Sequence, residues 1–229
     1  MSPLKFEEKI GINFSDKDLL RQAFIHRSYL NENPGERLSH NERLEFLGDA
    51  VLEVIVSEYL YREFSDMSEG ELTAIRAALV NTHTLARAAG ALGMEEYLLL
   101  SKGEAKSEGR ARQYILANTF EAFVGSLFID QGLSAVKSFL EAHLLPYTRI
   151  VMEEKLWQDA KSLFQEKSQE VSGITPTYKV LLEEGPDHNK QFTVGLFVGE
   201  RLVSQGVGFS KQEAEEDAAR IGLNKEGWK

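Results

Sequence analysis

The sequence contains no cysteine. That absence excludes disulfides and thiolate metal sites, leaves oxygen and histidine nitrogen as the possible metal ligands, and suits a reducing cytoplasm, the expected location. No apolar run approaches the roughly 20 residues needed to span a bilayer. The opening MSPLKFEEKI carries charges of both signs where a signal peptide needs an apolar core. Neither secretion nor membrane insertion is therefore expected. Basic charge is also short. Against 36 Asp and Glu there are 26 Lys and Arg, and the net charge is −10. The excess is spread along the chain, −6 over residues 1–150 and −4 over 151–229, so neither part is a basic module. Phosphate binding is driven by Lys and Arg displacing counterions. A nucleic-acid partner would have to be held by a few local cations and hydrogen bonds, or by metal ions bridging acidic side chains to phosphate.

At 229 residues, 42% hydrophobic and 27% charged, the chain has the composition of a globular protein of one large or two modest domains. From Leu19 to about Ala142 apolar residues recur at helical spacing, with breaks at Asn31–Ser39, Phe64–Glu69 and Ser101–Gly109. This predicts an all-α domain over residues 1–150. The charged Glu153-Glu154-Lys155 run marks a short linker, 151–157. The periodicity then changes. Asp159–Val171 is helical, Thr177–Leu182 reads as a strand, and Phe192, Val194, Leu196 and Val198 alternate as a half-buried strand should. Arg201–Gly208 follows after a turn at Gly199-Glu200. Ser210 is placed to cap a helix reaching Ile221, with Glu213 completing a capping box. The second domain, 158–226, thus has the order α-β-β-β-α.

Chemistry concentrates in Asn41-Glu-Arg-Leu-Glu-Phe-Leu-Gly-Asp49. On a helix, Glu42, Glu45 and Asp49 fall within roughly 60° of one another. Leu44, Leu47, Val51, Val54 and Ile55 form the opposite, core-facing stripe. An ordinary amphipathic helix carries such acids on its solvated face. Here, however, basic residues that would relieve their repulsion are scarce after Arg43, and Phe46, Leu52 and Val56 border them, which places the acidic line in a groove between helices. Asn118 and Glu121 are neighbours on a second helix face. Two helices offering oxygen ligands at these spacings can assemble a hard-cation site, for which Mg²⁺ is the natural occupant.

These residues resemble the ribonuclease III family, through the nine-residue segment from Asn41 to Asp49, the preceding His26-Arg-Ser28, and Leu116–Asp130. The likeness extends over nearly the whole chain, since the second domain resembles a double-stranded-RNA-binding domain. It implies an all-α endonuclease domain followed by a duplex-binding domain. It also implies a homodimer cutting both strands to leave 5′-phosphate and 3′-hydroxyl ends with a short 3′ overhang, and a role in ribosomal and messenger RNA processing. The metal ligands it implies are Glu45, Asp49, Asn118 and Glu121. Asp49 and Glu121 are the catalytic pair, and Glu42 and Glu69 are acidic neighbours in the same valley. Asn118 stands where the family usually has aspartate. An amide offers a carbonyl oxygen but no charge and no base, so weaker metal binding, with Mn²⁺ as a substitute, is expected. The competing reading is a catalytically weakened or silent duplex binder, for which Asn118 is the one feature. His26 beside Arg27 reads as a structural hydrogen-bonder.

In the second domain Ser210, Lys211 and Gln212 open a helix whose free N–H groups and dipole favour phosphate. Gln212 replaces a usual basic residue, which softens the grip. Gln165 and Glu166 on the first helix are placed to reach 2′-hydroxyls, and His188 in the Gly185–Asn189 loop to enter the minor groove. Considered alone, that loop is a plain hairpin turn.

Overall fold

The computed structural model describes residues 3–157, 159–185 and 190–228. The chain divides into two compact units, residues 1–157 and 158–229. The first is helical: α1 (Leu4–Ile10), α2 (Lys17–Ala23), α3 (Arg27–Glu32), α4 (Glu42–Glu63), α5 (Glu69–Leu79), α6 (Thr82–Ala91), α7 (Gly109–His143) and α8 (Tyr147–Glu153). Local chemistry sets these boundaries. Asp16 caps α2 by accepting from the Asp18 and Leu19 N–H groups, and Ser68 with Glu71 forms a full capping box on α5. Gly132 breaks α7 in two with a φ of 79° and an extended ψ of −175°, a conformation nearly confined to glycine that would cost a residue with a Cβ on the order of 1–3 kcal/mol.

The two long helices α4 and α7 are the centre of this unit. They cross with their backbones in contact. A Cβ built on Gly48 would lie 1.8 Å from the Glu121 carbonyl oxygen, and one on Gly125 would lie 2.2 Å from the Leu44 carbonyl oxygen. Behind the crossing is an aromatic core, in which the Phe123 ring lies 5.3 Å from Phe6, 5.6 Å from Phe14 and 5.0 Å from Phe139. The sequence pattern gave no part in this to the opening segment, yet Phe6 is fully buried.

Two expectations need correction. Val54, assigned above to the core stripe, is 60% exposed, because the buried stripe of α4 is centred on Gly48 and Val54 has rotated roughly 120° away from it. The stretch 151–157 is also not a free linker. Val151 is buried, the Leu156 N–H donates to the Val151 carbonyl at 3.0 Å, and Met152 and Trp157 pack on the first core. Its charged residues point outward from a helix whose other side is apolar.

In the second unit α9 (Ala160–Ser172) and α10 (Lys211–Glu226) flank an antiparallel sheet of β1 (Thr177–Glu184), β2 (Gln191–Val198) and β3 (Arg201–Gly208), in the order β1-β2-β3. Val180 pairs with Val194 and Phe192 with Gly208, and register shifts fall beside Leu181 and Phe197. Gly199, with a φ of 62°, makes the β2–β3 turn. Phe164, Leu196, Ala218 and Ala219 form the core. The α10 cap departs from the expected box. Ser210 accepts from the Glu213 N–H at 3.1 Å, but the Glu213 carboxylate accepts from Phe209 N–H, one residue earlier than the cap. Among the described residues no helix is long and apolar enough to cross a membrane.

The α4–α7 contact leaves no room for a methyl group. Gly48→Ala should destabilise the chain by about 2–3 kcal/mol through overpacking, read as a lower urea midpoint with little change in slope. An unchanged midpoint would show that the two backbones can part freely.

Candidate metal centre and nucleic-acid interface

The crossing that excludes a Cβ at Gly48 also fixes what stands beside it. Glu45 and Asp49 flank Gly48 on α4, and Glu121 lies one turn before Gly125 on α7. Their charges meet. Burial first, and the Asp49 and Glu45 carboxylates beside it, together raise the Glu121 carboxyl to about 8, and among the described residues no cationic side chain offsets them. Burial also raises Glu45, as do Glu42 and Asp49, and the Asn118 amide partly reverses this by donating to the Glu45 carboxylate. The structure thus brings Glu45, Asp49, Asn118 and Glu121 into one electrostatically coupled group.

The outer acids differ. Glu42 lies 3.7 Å from both Arg27 Nη1 and His40 Nδ1, so Arg27 partly counters its charge, although it still acts on Glu45. Glu69 is the exposed first residue of α5, where its carboxylate accepts from Thr73 Oγ1 at 3.2 Å. Among the described residues no interaction ties it to the central four. His26 caps α3, with Nδ1 accepting from the Ser28 N–H at 3.3 Å and 2.8 Å from Ser28 Oγ. Burial lowers its pKa, and this capping role is the structural one its sequence context suggested.

Sequence reasoning missed the anchor of this segment. Asn41 is buried, donates from Nδ2 to the Ala23 carbonyl at 3.1 Å and from its backbone N–H to the Ile25 carbonyl at 2.9 Å. It sets where α4 begins and hence which turn carries Glu45. A buried asparagine next to a helix start was the available signal.

Oxygen is the only donor type in the central group, which suits a hard cation. Among the described residues no three His, Asp or Glu side chains form a ready-made cage. The arrangement fits an ion that keeps several waters and takes a few protein oxygens, as Mg²⁺ does, better than one requiring full encirclement.

In the second unit Ser210 is the N-cap of α10 and Lys211 its exposed first residue. Lys211 Nζ is not isolated: it lies 3.7 Å from Glu183 Oε1 and 5.8 Å from the Phe192 ring centroid. Lys190 lies 3.5 Å from the same carboxylate. Gln212 is exposed, as are Gln165 and Glu166 on α9. His188 lies outside the described residues.

A family model described as ribonuclease-III-like matches residues 16–148, and one for the double-stranded RNA binding motif matches residues 160–226. The chain is 46% identical to ribonuclease 3 of Oceanobacillus iheyensis over 219 residues, 95% of each chain. It is 44% identical to ribonuclease 3 of Streptococcus thermophilus over 223 residues, 97% of each. Among solved structures, the nuclease domain of ribonuclease III from Campylobacter jejuni superposes with a TM-score of 0.56 at 35% identity. That match covers 62% of this chain and 97% of that one.

The raised acid makes a test of the cluster. A carboxyl whose folded pKa lies above its ordinary 4.5 favours the neutral form on folding, so stability is lost as pH rises from there through about 8. Glu121→Gln is uncharged throughout. In metal-free buffer it should match the parent near pH ~5 and exceed it by on the order of 2 kcal/mol above pH ~8, after allowance for solvent screening. Denaturation curves across that range that stay parallel for the two proteins would rule out the coupling.

Proposed function

The chain belongs to the ribonuclease III family, and from that premise we propose that it cuts by metal-assisted hydrolysis at the group formed by Glu45, Asp49, Asn118 and Glu121. It is an endoribonuclease for double-stranded RNA. The observation that carries the proposed chemistry is Glu121, a carboxyl raised to about 8 among other acids with no cation beside it among the described residues. A divalent ion is the missing counter-charge. Metal dependence is general in the family, and the oxygen donors make Mg²⁺ the natural ion here, with Mn²⁺ as substitute.

When bound, the ion supplies Lewis acidity toward the scissile phosphate and an activated water for in-line attack. Glu45 and Asp49 would hold it from α4. Glu121 would add a further carboxylate oxygen or orient the water. Asn118 would join through its carbonyl oxygen, and because an amide adds no charge, metal affinity would fall below that of an aspartate in the same place. Attack at phosphorus with departure of the 3′ oxygen leaves a 5′-phosphate and a 3′-hydroxyl. Glu42, beside Arg27, and Glu69 border the path of the backbone.

The second unit holds the duplex. The start of α10, with Lys211 and the Ser210 cap, takes phosphate, while Gln165 and Glu166 are suited to 2′-hydroxyls across the minor groove. Glu183 competes for Lys211, so the grip is modest and gains from a second copy. That copy has a surface to use. Phe46 and Tyr61 on α4 are 81% and 76% exposed, and with Ala50 and Ser57 they lie roughly opposite Gly48. The Campylobacter jejuni structure is described in terms of a region involved in dimer formation. A homodimer seated on this stripe would present two acidic groups, one per strand. Processing of ribosomal and messenger RNA in the cytoplasm is the role such an activity serves.

Cleavage of a long labelled RNA duplex tests the mechanism. The parent should cut in Mg²⁺, Glu121→Ala should lose at least ~100-fold in rate, and Asn118→Asp should lower the Mg²⁺ needed by roughly tenfold, the effect of about 1.4 kcal/mol. If neither the parent nor Asn118→Asp cuts in Mg²⁺ or Mn²⁺, the assignment fails. For the dimer, Phe46→Asp should shift sedimentation from two copies to one and leave the helical content unchanged. A variant that stays dimeric would move the interface elsewhere.

A further inference from the structure

A second cleft opens on the first unit between α6, the end of α7 and α8. We propose that it binds an organic phosphate monoester of the nucleoside monophosphate class. Its volume is about 450 Å³, within the ordinary range of small-molecule sites. None of its lining residues belongs to the acidic group or to the duplex-binding unit.

The lining is unusual for this chain. In a protein of net charge −10, no Asp or Glu among the described residues lines the cleft, whereas Arg87, His143 and Arg149 all do. Each of the three keeps donor capacity. Arg87 lies 5.3 Å from the Tyr147 ring centroid and has no ion pair among the described residues. Arg149 has only a 3.9 Å contact with Glu153. The His143 ring lies 4.9 Å from Phe139 and has no hydrogen-bond partner among the described residues. Stacking on Tyr147 also orders the Arg87 guanidinium before a ligand arrives, which reduces the entropy lost on binding. Two guanidiniums and an imidazole match a phosphate dianion, because the planar forks donate in pairs to its oxygens. Leu92, Pro146 and Ile150 add an apolar wall, which suits the flat body of a nucleoside and gives a free phosphate ion nothing to bury.

The probes are adenosine 5′-monophosphate, adenosine and inorganic phosphate, titrated into the full chain by calorimetry without divalent metal. The monophosphate should saturate with a Kd on the order of 0.1–1 mM. The Arg87→Gln/Arg149→Gln double variant should bind it at least ~10-fold more weakly. Both arginines are exposed, so this variant should keep its fold and its duplex cleavage. Adenosine alone and phosphate alone should each bind more weakly than the monophosphate. Lys211→Ala, which alters the phosphate-binding helix start of the other unit, should leave the affinity unchanged. The proposal is overturned if the monophosphate does not saturate or if the double variant binds it as well as the parent. It is equally overturned if Lys211→Ala abolishes binding, or if inorganic phosphate binds as tightly as the monophosphate.

Discussion

The backbone contact between α4 and α7 at Gly48 and Gly125 is the constraint on which the first unit depends. A pair of helices separated by ordinary side chains would sit 8–10 Å apart. Here each glycine faces a carbonyl of the other helix at a distance that excludes a Cβ. The closer approach has a chemical consequence. Side chains on the turns immediately beside the crossing, Glu45 and Asp49 on one helix and Asn118 and Glu121 on the other, are driven to one place whatever their mutual repulsion. Acids would not collect there unaided. The packing of Phe6, Phe14, Phe123 and Phe139 behind the crossing supplies the opposing free energy, since buried aromatic side chains contribute several kcal/mol each.

Repulsion held in place in this way contrasts with the ion-paired acids elsewhere in the chain. Glu36 is paired with Arg21, Glu58 with Arg62 and Lys137, and Glu226 with Arg201. At Glu36 and Glu58 those pairings hold the carboxyl below its usual range, with the partner cations the leading cause. Glu121 goes the other way, and net charge alone does not reveal the contrast. Asn118 fits the same logic. An amide beside Glu45 moderates a cluster that a fourth carboxylate would have made more repulsive without metal, and it correspondingly lowers the attraction for the metal.

Much of this centre was legible in the sequence, because helical spacing converts directly into a shared face. Glu45 with Asp49 and Asn118 with Glu121 each follow from 100° per residue, and the order of strands in the second unit follows from the change of period. What periodicity could not supply was which face of α4 meets α7. Val54 fits an apolar stripe by type, yet the contact is made by a glycine, and hydrophobicity carries no signal for a residue chosen for having no side chain. The same blindness hid Phe6, a single aromatic in a charged segment. At 151–157 a charged run masked a helix with one buried side. The Glu183 contact with Lys211 was out of reach for another reason: it joins a strand end to a helix start 28 positions later, a tertiary fact.

A chain with ten excess negative charges faces a polyanion, and its two units solve that problem differently. In the proposed reading the second uses few cations, with Glu183 beside Lys190 and Lys211, so its hold on phosphate would depend on backbone N–H groups at a helix start. In the first unit the acids themselves become the attractive element once a divalent ion stands between them and the backbone, because the ion reverses the sign of the local field. Attraction then exists only where and when metal is bound. In that reading the negative charge that first argued against a nucleic-acid partner would become, at the acidic centre, part of how the duplex is held where it is cut.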